Sequence, residues 1–334
     1  MRQRFFLIFL LFAALFSGLI VFETKKFENN ITNIYSAQIF ISLQRNENLP
    51  QITLLFAGDI MLDRGVEFAV NKYGQGNWQF PFLKTRGVLE KADVLFGNLE
   101  GPISDKGVKV GSIYSFRANP KAIDGLTYAG FDILSVANNH ILDYSRLAME
   151  DTFLRLRAAG IDYIGGGFNE KEVRLGVIKE IQNTKIAYLA YTNLGSENWQ
   201  AKGDDSGIAW LDEKIAEDIK IAKEKADVVI VSMHFGEEYQ VQPDAKQKRF
   251  AHLAVDSGAD LVVGHHPHVA QPIERYKQGY VAYSLGNFVF DQGFSEETMR
   301  GLLLEVLVQD GKVKEVIPIN IRINNNFQPE IAGN

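Results

Sequence analysis

Short runs of β-branched and other apolar residues alternate with polar turns and helical patterns along the chain from Gln51 onward. The apolar runs include "ITLLFAG", "DVVIVSM", "DLVVGHH" and "LLLEVLV", and the helical patterns cover Pro120 to Gly130, Ser145 to Gly160 and Asp212 to Ala226. Near-continuous Val, Ile and Leu runs between helices are typical of strands that are buried on both faces. The pattern therefore predicts an α/β domain over residues 51–320, followed by a C-terminal tail over residues 321–334.

A longer apolar run, Phe5 to Phe22, stands near the start of the chain behind Arg2 and Arg4. Its length falls within the roughly 17 to 25 residues that a helix needs to span a bilayer, and the basic residues ahead of it favour an inside N-terminus. A cleaved signal peptide is the alternative, although no A-x-A cleavage site follows. We therefore predict an uncleaved signal anchor over 1–26, a polar tether over 27–50, and a single-pass protein of the cell membrane with its domain on the extracytoplasmic side.

Composition narrows the possible chemistry in two ways. The formal net charge is −6, and the first 26 residues contribute +3 to it, which leaves −9 for the remainder. A body this acidic does not attract nucleic acid, so an anionic substrate needs a local basic group or a metal. The chain has no cysteine, which excludes disulfides, thiolate ligands and cysteine nucleophiles. Any metal must be held by nitrogen and oxygen atoms.

Polar side chains that can bind metal stand at the ends of several apolar runs. Because ligands bind beyond the carboxyl ends of strands in α/β sheets, we expect these side chains to meet at one edge. Taken singly, each has an ordinary explanation, such as a turn, a helix N-cap or a hydrogen-bonded core histidine. Together they predict a site for one or two divalent ions, of which manganese, iron and zinc suit such ligands best. The residues are Asp59, Asn98, Glu100, Asn138, Asn139, His140, His234, His265, His266, His268 and Asn287.

Three of the six histidines lie within the short segment "GHHPH". An extended segment sends residues i and i+2 to the same side of the chain. We therefore predict that His266 and His268 face the metal and that His265 points the other way.

Longer motifs occur in a fixed order between Thr53 and Val308: "FAGDIMLDR", "ADVLFGNLEGPIS", "FRANPKAIDGLTYAGFDILSVANNHILDYS", "AGIDYIGGG", "MHFGEEY", "DLVVGHHPHVAQPIE" and "YSLGNFVFD". In order and spacing they resemble the bacterial capsule synthesis proteins of the CapA and PgsA type, which are associated with poly-γ-glutamate capsules. That family looks like a branch of the calcineurin-like metallophosphoesterases. The resemblance implies a four-layer α-β-β-α sandwich with a metal centre at the strand ends.

The resemblance also implies roles for individual residues. Asp59 resembles the aspartate of the first phosphoesterase motif, and Glu100 stands near the bridging carboxylate of the second. Asn139 and His140 resemble a pair in which the asparagine binds metal and the histidine acts as general acid. The metal ligands that the resemblance implies are Asp59, Glu100, Asn139, His234, His266 and His268.

Two positions depart from the phosphoesterase pattern. Met61 stands where the first motif has a histidine, and Asn98 stands where the second has an aspartate, with the carboxylate moved to Glu100. Both changes agree with the pattern of the capsule family. They remove or exchange ligands, so a second ion and phosphoester hydrolysis both stay open at this point.

Two functions of different classes fit these motifs. In the first, the protein is a metal-dependent hydrolase or transferase that acts on a phosphorylated or amide-linked polymer precursor. His140 then protonates the leaving group, since imidazole titrates near neutral pH, and Arg64 neutralises substrate oxyanions. In the second, the protein is a non-catalytic, metal-containing component of a capsule assembly or export complex that binds polyanion. A binding-only pocket needs no proton donor, so His140 favours catalysis.

Further residues near these motifs are candidates for substrate binding. Trp199 and Trp210 flank the loop "KGDDSG", a candidate rim over the site, although a tryptophan is more often a packing residue. The expected partners are an anionic envelope polymer or its precursor, the cytoplasmic membrane and other membrane components of a capsule synthesis complex, with no nucleic acid. The substrate-binding role is predicted for Asn98, Arg117, Glu238 and Asn287.

Overall fold

The computed structural model describes residues 51–110 and 112–333. The predicted signal anchor (1–26) and tether (27–50) lie outside the described residues, so both stay predictions. Within the described part of the chain, none of the helices combines the length and the apolar character that a membrane span requires.

Strands and helices alternate along the first two thirds of the described chain, and strands predominate after it. The strands are β1 (Ile52–Ile60), β2 (Val94–Leu99), β3 (Ile133–Ser135), β4 (Asp162–Ile164), β5 (Gly166–Gly167), β6 (Val177–Ile181), β7 (Thr184–Thr192), β8 (Gly207–Ile208), β9 (Val228–His234), β10 (Leu261–His265), β11 (Ile273–Tyr276), β12 (Gly279–Ala282), β13 (Asn287–Val289), β14 (Arg300–Gln309), β15 (Lys312–Ile323) and β16 (Pro329–Ile331). The helices are α1 (Arg64–Lys72), α2 (Arg86–Leu89), α3 (Ala122–Ala129), α4 (Ser145–Ala158), α5 (Glu170–Leu175), α6 (Ile215–Lys223) and α7 (Ala245–Asp256), with short 3₁₀ turns at Phe80–Phe82 and Glu197–Trp199.

The strands form two large sheets. The first has eight strands in the order β16-β15-β14-β1-β2-β3-β4, with β13 also paired to β1. Its β1 to β4 half is parallel, and the β14 to β16 half is antiparallel. The second has six strands in the order β11-β12-β10-β9-β7-β6, and its central strands are parallel. A separate antiparallel pair joins β5 to β8.

Three buried apolar clusters show how the sheets and helices pack. The first cluster joins residues of the first sheet to α3 and α4, and the second joins the other sheet to α6 and α7. The third contains residues of both sheets and no helical residue, including Phe96 of β2 and Tyr188 of β7, whose rings stack at 6.4 Å and 11°. The domain is therefore a mixed α/β sandwich, which confirms the predicted α/β class.

The C-terminal boundary that we predicted is wrong. β15 continues through residue 320 to Ile323, and β16 then pairs with it between Ile321 and Ile331. Residues that we assigned to a tail from 321 onward therefore belong to the first sheet.

The strand register places the polar residues at the strand ends side by side on neighbouring strands. Asp59 at the end of β1 lies opposite Asn98 of β2 on one side and Asn287 of β13 on the other. In the second sheet His265 of β10 lies opposite His234 of β9. Because these parallel strands end at the same edge, side chains that are far apart in sequence become neighbours.

Candidate metal centre

Asp59 lies at the centre of the polar strand ends and is fully buried. Its Oδ1 accepts a hydrogen bond from Asn98 Nδ2 at 2.9 Å, and its Oδ2 accepts one from the backbone N–H of His266 at 3.2 Å. His268 Nδ1 lies 3.3 Å from Oδ2. The carboxylate therefore joins the first sheet to the loop that follows β10.

Glu100 supplies a second buried carboxylate, directly after β2. Its Oε2 accepts a long hydrogen bond of 3.4 Å from Asn98 Nδ2. Its Oε1 lies 3.6 Å from His268 Nε2 and 3.8 Å from His140 Nε2, and it has no hydrogen-bond partner among the described residues. A buried carboxylate oxygen without a partner is costly, and a bound cation would remove that cost.

His234 and Asn139 approach each other from opposite sheets. His234 Nε2 lies 2.7 Å from Asn139 Oδ1, while its Nδ1 lies 3.3 Å from Asn98 Nδ2. Because the amide nitrogen Nδ2 of Asn98 can only donate, His234 Nδ1 is the accepting nitrogen. Nε2 then carries the proton and donates it in a hydrogen bond to Asn139 Oδ1, so this pair links the two sheets beside the carboxylates.

The backbone around His266 and His268 differs from the extended segment that we predicted. Both residues have positive φ, 97° and 59°, so the chain turns sharply there. The turn nevertheless places the two imidazole rings 5.7 Å apart. Single ligand atoms of Glu238, His266 and His268 lie within 4.8 Å of one another, so the two histidines do converge, with an acidic partner.

The predicted orientation of His265 is wrong. Its side chain is fully buried, and Nδ1 lies 3.3 Å from Asp59 Oδ1, while the ring lies 6.3 Å from that of Phe96. The residue lies on the inner side of the Asp59 carboxylate and does not point away from it. The sharp turn after His265 is the reason, because alternation of sides holds only for extended chain.

The pKa directions within the site divide its histidines into two kinds. Burial lowers the pKa of His234 well below its usual range and that of His266 to about 3. Burial also acts to lower the pKa of His268, but the Glu100 and Asp59 carboxylates outweigh it and raise the pKa to about 9. Burial raises the pKa of Glu100 well above its usual range. For Asp59 burial acts in the same direction, yet hydrogen bonds and charge from neighbouring imidazoles hold its pKa well below that range.

The donor atoms suit a divalent ion. Two overlapping groups, one of Asp59, Glu100 and His268 and the other of Glu238, His266 and His268, each bring three ligand atoms within 4.8 Å. Besides Glu100 Oε1, His266 Nδ1 is buried without a hydrogen-bond partner among the described residues. Carboxylate and neutral imidazole ligands fit manganese, iron or zinc.

His140 lies beside the carboxylates with its ring fixed on two sides. Its Nδ1 lies 2.7 Å from Asp143 Oδ2, and the ring packs on Phe116 at 4.1 Å between centroids. The Asp143 carboxylate also accepts the backbone N–H of Phe116 at 2.8 Å. Nε2 therefore faces Glu100 and the cleft. The sequence reasoning missed Asp143, although its position three residues after His140 was a usable signal.

A cleft of about 530 Å³ opens over the site. His140, His268 and Glu238 lie at its base or wall, and Arg64 and Asp291 line it together. Arg64 donates from Nε to Asp291 Oδ2 at 3.2 Å and stacks over Phe116 at 4.6 Å. Asp291 was also missed from the sequence. The remaining lining residues are Ser112, Tyr114, Phe116, Asn139, Tyr239, Gln292 and Phe294.

Of the four predicted substrate-binding residues, only Glu238 lines this cleft. Asn98 is fully buried, and its amide is taken up by hydrogen bonds within the site. Asn287 is also buried: its Oδ1 lies 3.0 Å from His268 Nδ1, and its Nδ2 donates to Thr298 O. The Arg117 guanidinium donates to the backbone carbonyls of residues 106 and 107. Direct contact with substrate is therefore not supported for Asn98, Asn287 or Arg117.

The tryptophans that flank "KGDDSG" do not form a rim over the cleft. Trp199 and Trp210 are partly buried and pack against the cluster between the first sheet and its helices. Exposed aromatic residues from other segments lie at the cleft: Tyr114, Tyr239 and Phe294. Tyr239 and Phe294 meet edge to face at 5.1 Å.

Comparison with known proteins identifies relatives of this chain. A family model described as "Bacterial capsule synthesis protein PGA_cap" matches residues 53–292. The chain is 35% identical over 282 residues to "Capsule biosynthesis protein CapA" of Bacillus anthracis, which covers 81% of this chain and 68% of the relative. It is 33% identical over 271 residues to "PGA biosynthesis protein CapA" of Bacillus subtilis (strain 168), covering 80% and 70% respectively.

A solved structure shares the fold at low sequence identity. A phosphatase from Mycoplasma pneumoniae superposes with a TM-score of 0.52 at 17% identity, covering 82% of this chain and 94% of that one. The likeness shows that the two chains share a mixed α/β sandwich fold.

Proposed function

This chain belongs to the bacterial capsule synthesis protein family, and from that membership we propose that it is a metal-dependent, phosphoesterase-like hydrolase or transferase of capsule biosynthesis. The observation that carries the proposal is the position of His140. Its Nε2 lies 3.8 Å from Glu100 Oε1, at the wall of a cleft over the candidate metal ligands. A proton donor beside a metal site is what hydrolysis needs and what simple binding does not.

The chain's own residues suit the steps of such a reaction. A divalent metal, when bound, supplies Lewis-acid chemistry by polarising a phosphoryl or carbonyl oxygen. His140, oriented by Asp143, holds a proton at Nε2 for the leaving group. Arg64 lies in the cleft, where its guanidinium can pair with substrate oxyanions in exchange for Asp291. Asp59, Glu100, Asn139, His234, His266 and His268 would hold the ion or ions.

The substrate that we propose is an anionic envelope polymer of poly-γ-glutamate type, or its phosphorylated or amide-linked precursor. The names of the two Bacillus relatives support capsule and PGA biosynthesis as the process. The net charge of −9 after residue 26 means that such a substrate needs a local positive charge to offset the repulsion, and Arg64 or a metal supplies one at this cleft.

We further propose that the sandwich has the four layers of a metallophosphoesterase, and that an N-terminal anchor holds it outside the cytoplasmic membrane near other capsule synthesis components. The three apolar clusters support the layers, and the apolar run from Phe5 to Phe22 supports the anchor. Protease treatment of spheroplasts tests the location. Degradation of the domain is expected, and protection until the membrane is opened would contradict it.

The reaction is tested by metal analysis of the purified full-length protein, combined with a panel of phosphoester and amide substrates. We expect a bound transition metal and metal-dependent turnover that His140→Ala abolishes. The control is His252→Gln, which changes a histidine of α7 outside the cleft. Turnover by His140→Ala at the wild-type rate would contradict the catalytic role.

The second candidate is a non-catalytic protein that binds polyanion through its metal. Asn98 favours it, because a buried amide stands where phosphoesterases have a metal-binding aspartate, and Met61 adds no ligand. The Met61 sulfur instead accepts the backbone N–H of Asp63 at 3.1 Å. Metal binding without turnover of any substrate would support this candidate over the first.

A further inference from the structure

A second cleft, of about 570 Å³, lies next to the candidate metal centre. Phe294 lines both clefts, because the segment between β13 and β14 forms one wall of each. Asp291 and Gln292 face the first cleft, and the residues from Gly293 to Glu296 face the second. We call the second cleft the arginine groove and define it by Phe294, Glu296, Met299, Arg300, Arg322 and Phe327.

The register of β14 and β15 places two positive charges side by side in this groove. Arg300 lies directly opposite Arg322, and residues that face each other across an antiparallel pair project from the same side of the sheet. Like charges in this arrangement destabilise the sheet unless an anion lies between them. The pair stands out because the rest of the domain is acidic.

Arg322 has no acidic partner of its own. Glu330 lies opposite it on β16, but that carboxylate accepts a hydrogen bond from Asn324 Nδ2 at 2.8 Å and lies 3.7 Å from Lys84 Nζ. Within the described residues, 51–110 and 112–333, no carboxylate forms a salt bridge with Arg322. Its charge is therefore available to a ligand.

Arg300 has a partner that a ligand can replace. Its Nη2 lies 2.8 Å from Glu296 Oε2, but the two side chains are 67% and 79% exposed. Exposed ion pairs contribute little to stability, so the carboxylate of a ligand can take the place of Glu296 at small cost. Phe294, Met299 and Phe327 add apolar surface on which methylene groups between charges can pack.

We propose that the arginine groove is a binding subsite for a linear polycarboxylate. One carboxylate of the polymer pairs with Arg300 and Arg322, and the chain continues past Phe294 into the first cleft. The inference rests on the proposed function for the identity of the polymer, and it adds a second contact that sets which polymers bind. Multiple weak contacts along one chain strengthen binding of a polymer over its single unit.

Binding of poly-γ-glutamate, free glutamate and the neutral amidated polymer to the full-length protein tests the groove at low salt. We expect the anionic polymer to bind more tightly than either of the others. The double variant Arg300→Gln/Arg322→Gln should weaken polymer binding by about tenfold, since two exposed ion pairs contribute roughly that factor. The control variant Arg249→Gln/Arg275→Gln makes the same change of net charge at two exposed arginines outside both clefts.

Each outcome separates the groove from the proposed reaction. Equal binding by the wild type and the double variant, or an equal loss in the control variant, would overturn the groove. Failure of the wild type to bind the polymer would overturn it as well. The reaction is read separately, from turnover of a small phosphoester by the wild type and by His140→Ala. If the wild type turns over the small substrate and the double variant binds polymer as tightly as the wild type, the proposed reaction is supported and the proposed subsite is wrong.

Discussion

His140 is the residue whose replacement separates catalysis from binding. Its ring is held by Asp143 and Phe116, and Nε2 is directed towards Glu100 at the cleft. Removing a general acid lowers the rate by about 10²- to 10⁴-fold. We therefore expect His140→Ala to lower kcat by that factor while metal content stays at the wild-type value, as measured by steady-state kinetics and elemental analysis.

Two variants of Asp143 serve to check how His140 acts. Asparagine at this position keeps an oxygen that can accept from Nδ1, whereas alanine leaves the ring without a partner. We expect Asp143→Asn to retain more of kcat than Asp143→Ala, with little change in KM for either. Equal losses in both variants would mean that Asp143 does not act by orienting the imidazole.

His268 makes the metal-free protein sensitive to alkaline pH. Its pKa of about 9 in the folded protein exceeds the value of about 6.5 for an unperturbed histidine. The folded state binds this proton more tightly, so the stabilisation is complete below about pH 6.5 and is lost as pH rises through about 9. The loss amounts to at most about 3 kcal/mol. Urea unfolding in chelator across this range measures it.

The matched variants for this pH effect are His268→Gln and His252→Gln. The first removes the titrating group, so its free energy of unfolding should fall less steeply between neutral and alkaline pH. The second changes a histidine on α7 and should keep the wild-type slope. If His268→Gln shows the same slope as the wild type, another group causes the loss.

Several residues of the site were predictable and others were not, for a physical reason. Asp59, Glu100 and His234 follow apolar strands, so strand direction alone predicts that they meet. The acidic partner that Glu238 offers His266 and His268, and the pairing of Arg117 with backbone carbonyls, depend on how loops fold back over the sheet. The spacing of residues along the sequence carries little information about how such loops fold back over the sheet.

At the level of elements, the end of β1 requires a glycine before Asp59. A Cβ at Gly58 would lie 2.0 Å from the backbone oxygen of Gly286, and Asp59 N donates to that same oxygen at 3.0 Å. Gly58→Ala must therefore push apart the segments that carry Asp59 and Asn287. We expect it to lower the free energy of unfolding by about 3 kcal/mol or more, as measured by denaturant titration, and to weaken metal binding.

Gly87 offers a control for the same substitution. It lies exposed in α2 with nothing within 4 Å of an added Cβ. Gly87→Ala should be neutral or stabilising by about 0.5 kcal/mol, because alanine favours helix. If both substitutions change the free energy of unfolding by a similar, small amount, the end of β1 accommodates the added methyl group without being destabilised.

The pattern of strands and helices predicted most elements correctly, and its failure at the C-terminus is instructive. The helical pattern from Ser145 to Gly160 corresponds to α4, and the run at Ile52 corresponds to β1. β15 was missed because "KVKEVIPINIRI" mixes charged residues with a proline. Pro318 is tolerated there because β16 pairs only with Ile321 to Ile323, which leaves the strand edge open at the proline.

For the molecule as a whole, the site belongs to neither sheet alone. Asp59 and Asn98 lie in strands of the first sheet and Glu100 directly follows β2, whereas His234 and the loop after β10 come from the second sheet. Apolar packing between the sheets positions these groups. The sequence predicted that strand ends would converge, but the face-to-face pairing of two sheets came only from the family resemblance.

A metal held by both sheets should stabilise the whole domain against unfolding. At an ion concentration about 100 times the dissociation constant, binding to the folded state adds about 2.7 kcal/mol, which for a domain of this size raises Tm by about 5 to 10 °C. Calorimetry of the full-length protein with manganese and with chelator measures the shift. Asp59→Asn/Glu100→Gln removes the two carboxylates of the group that Asp59 and Glu100 form with His268, and should lose the shift, whereas Glu315→Gln on the exposed face of β15 should keep it. A shift of wild-type size in the double variant would mean that the ion does not need Asp59 and Glu100, and would leave Glu238, His266 and His268 as the group that holds it.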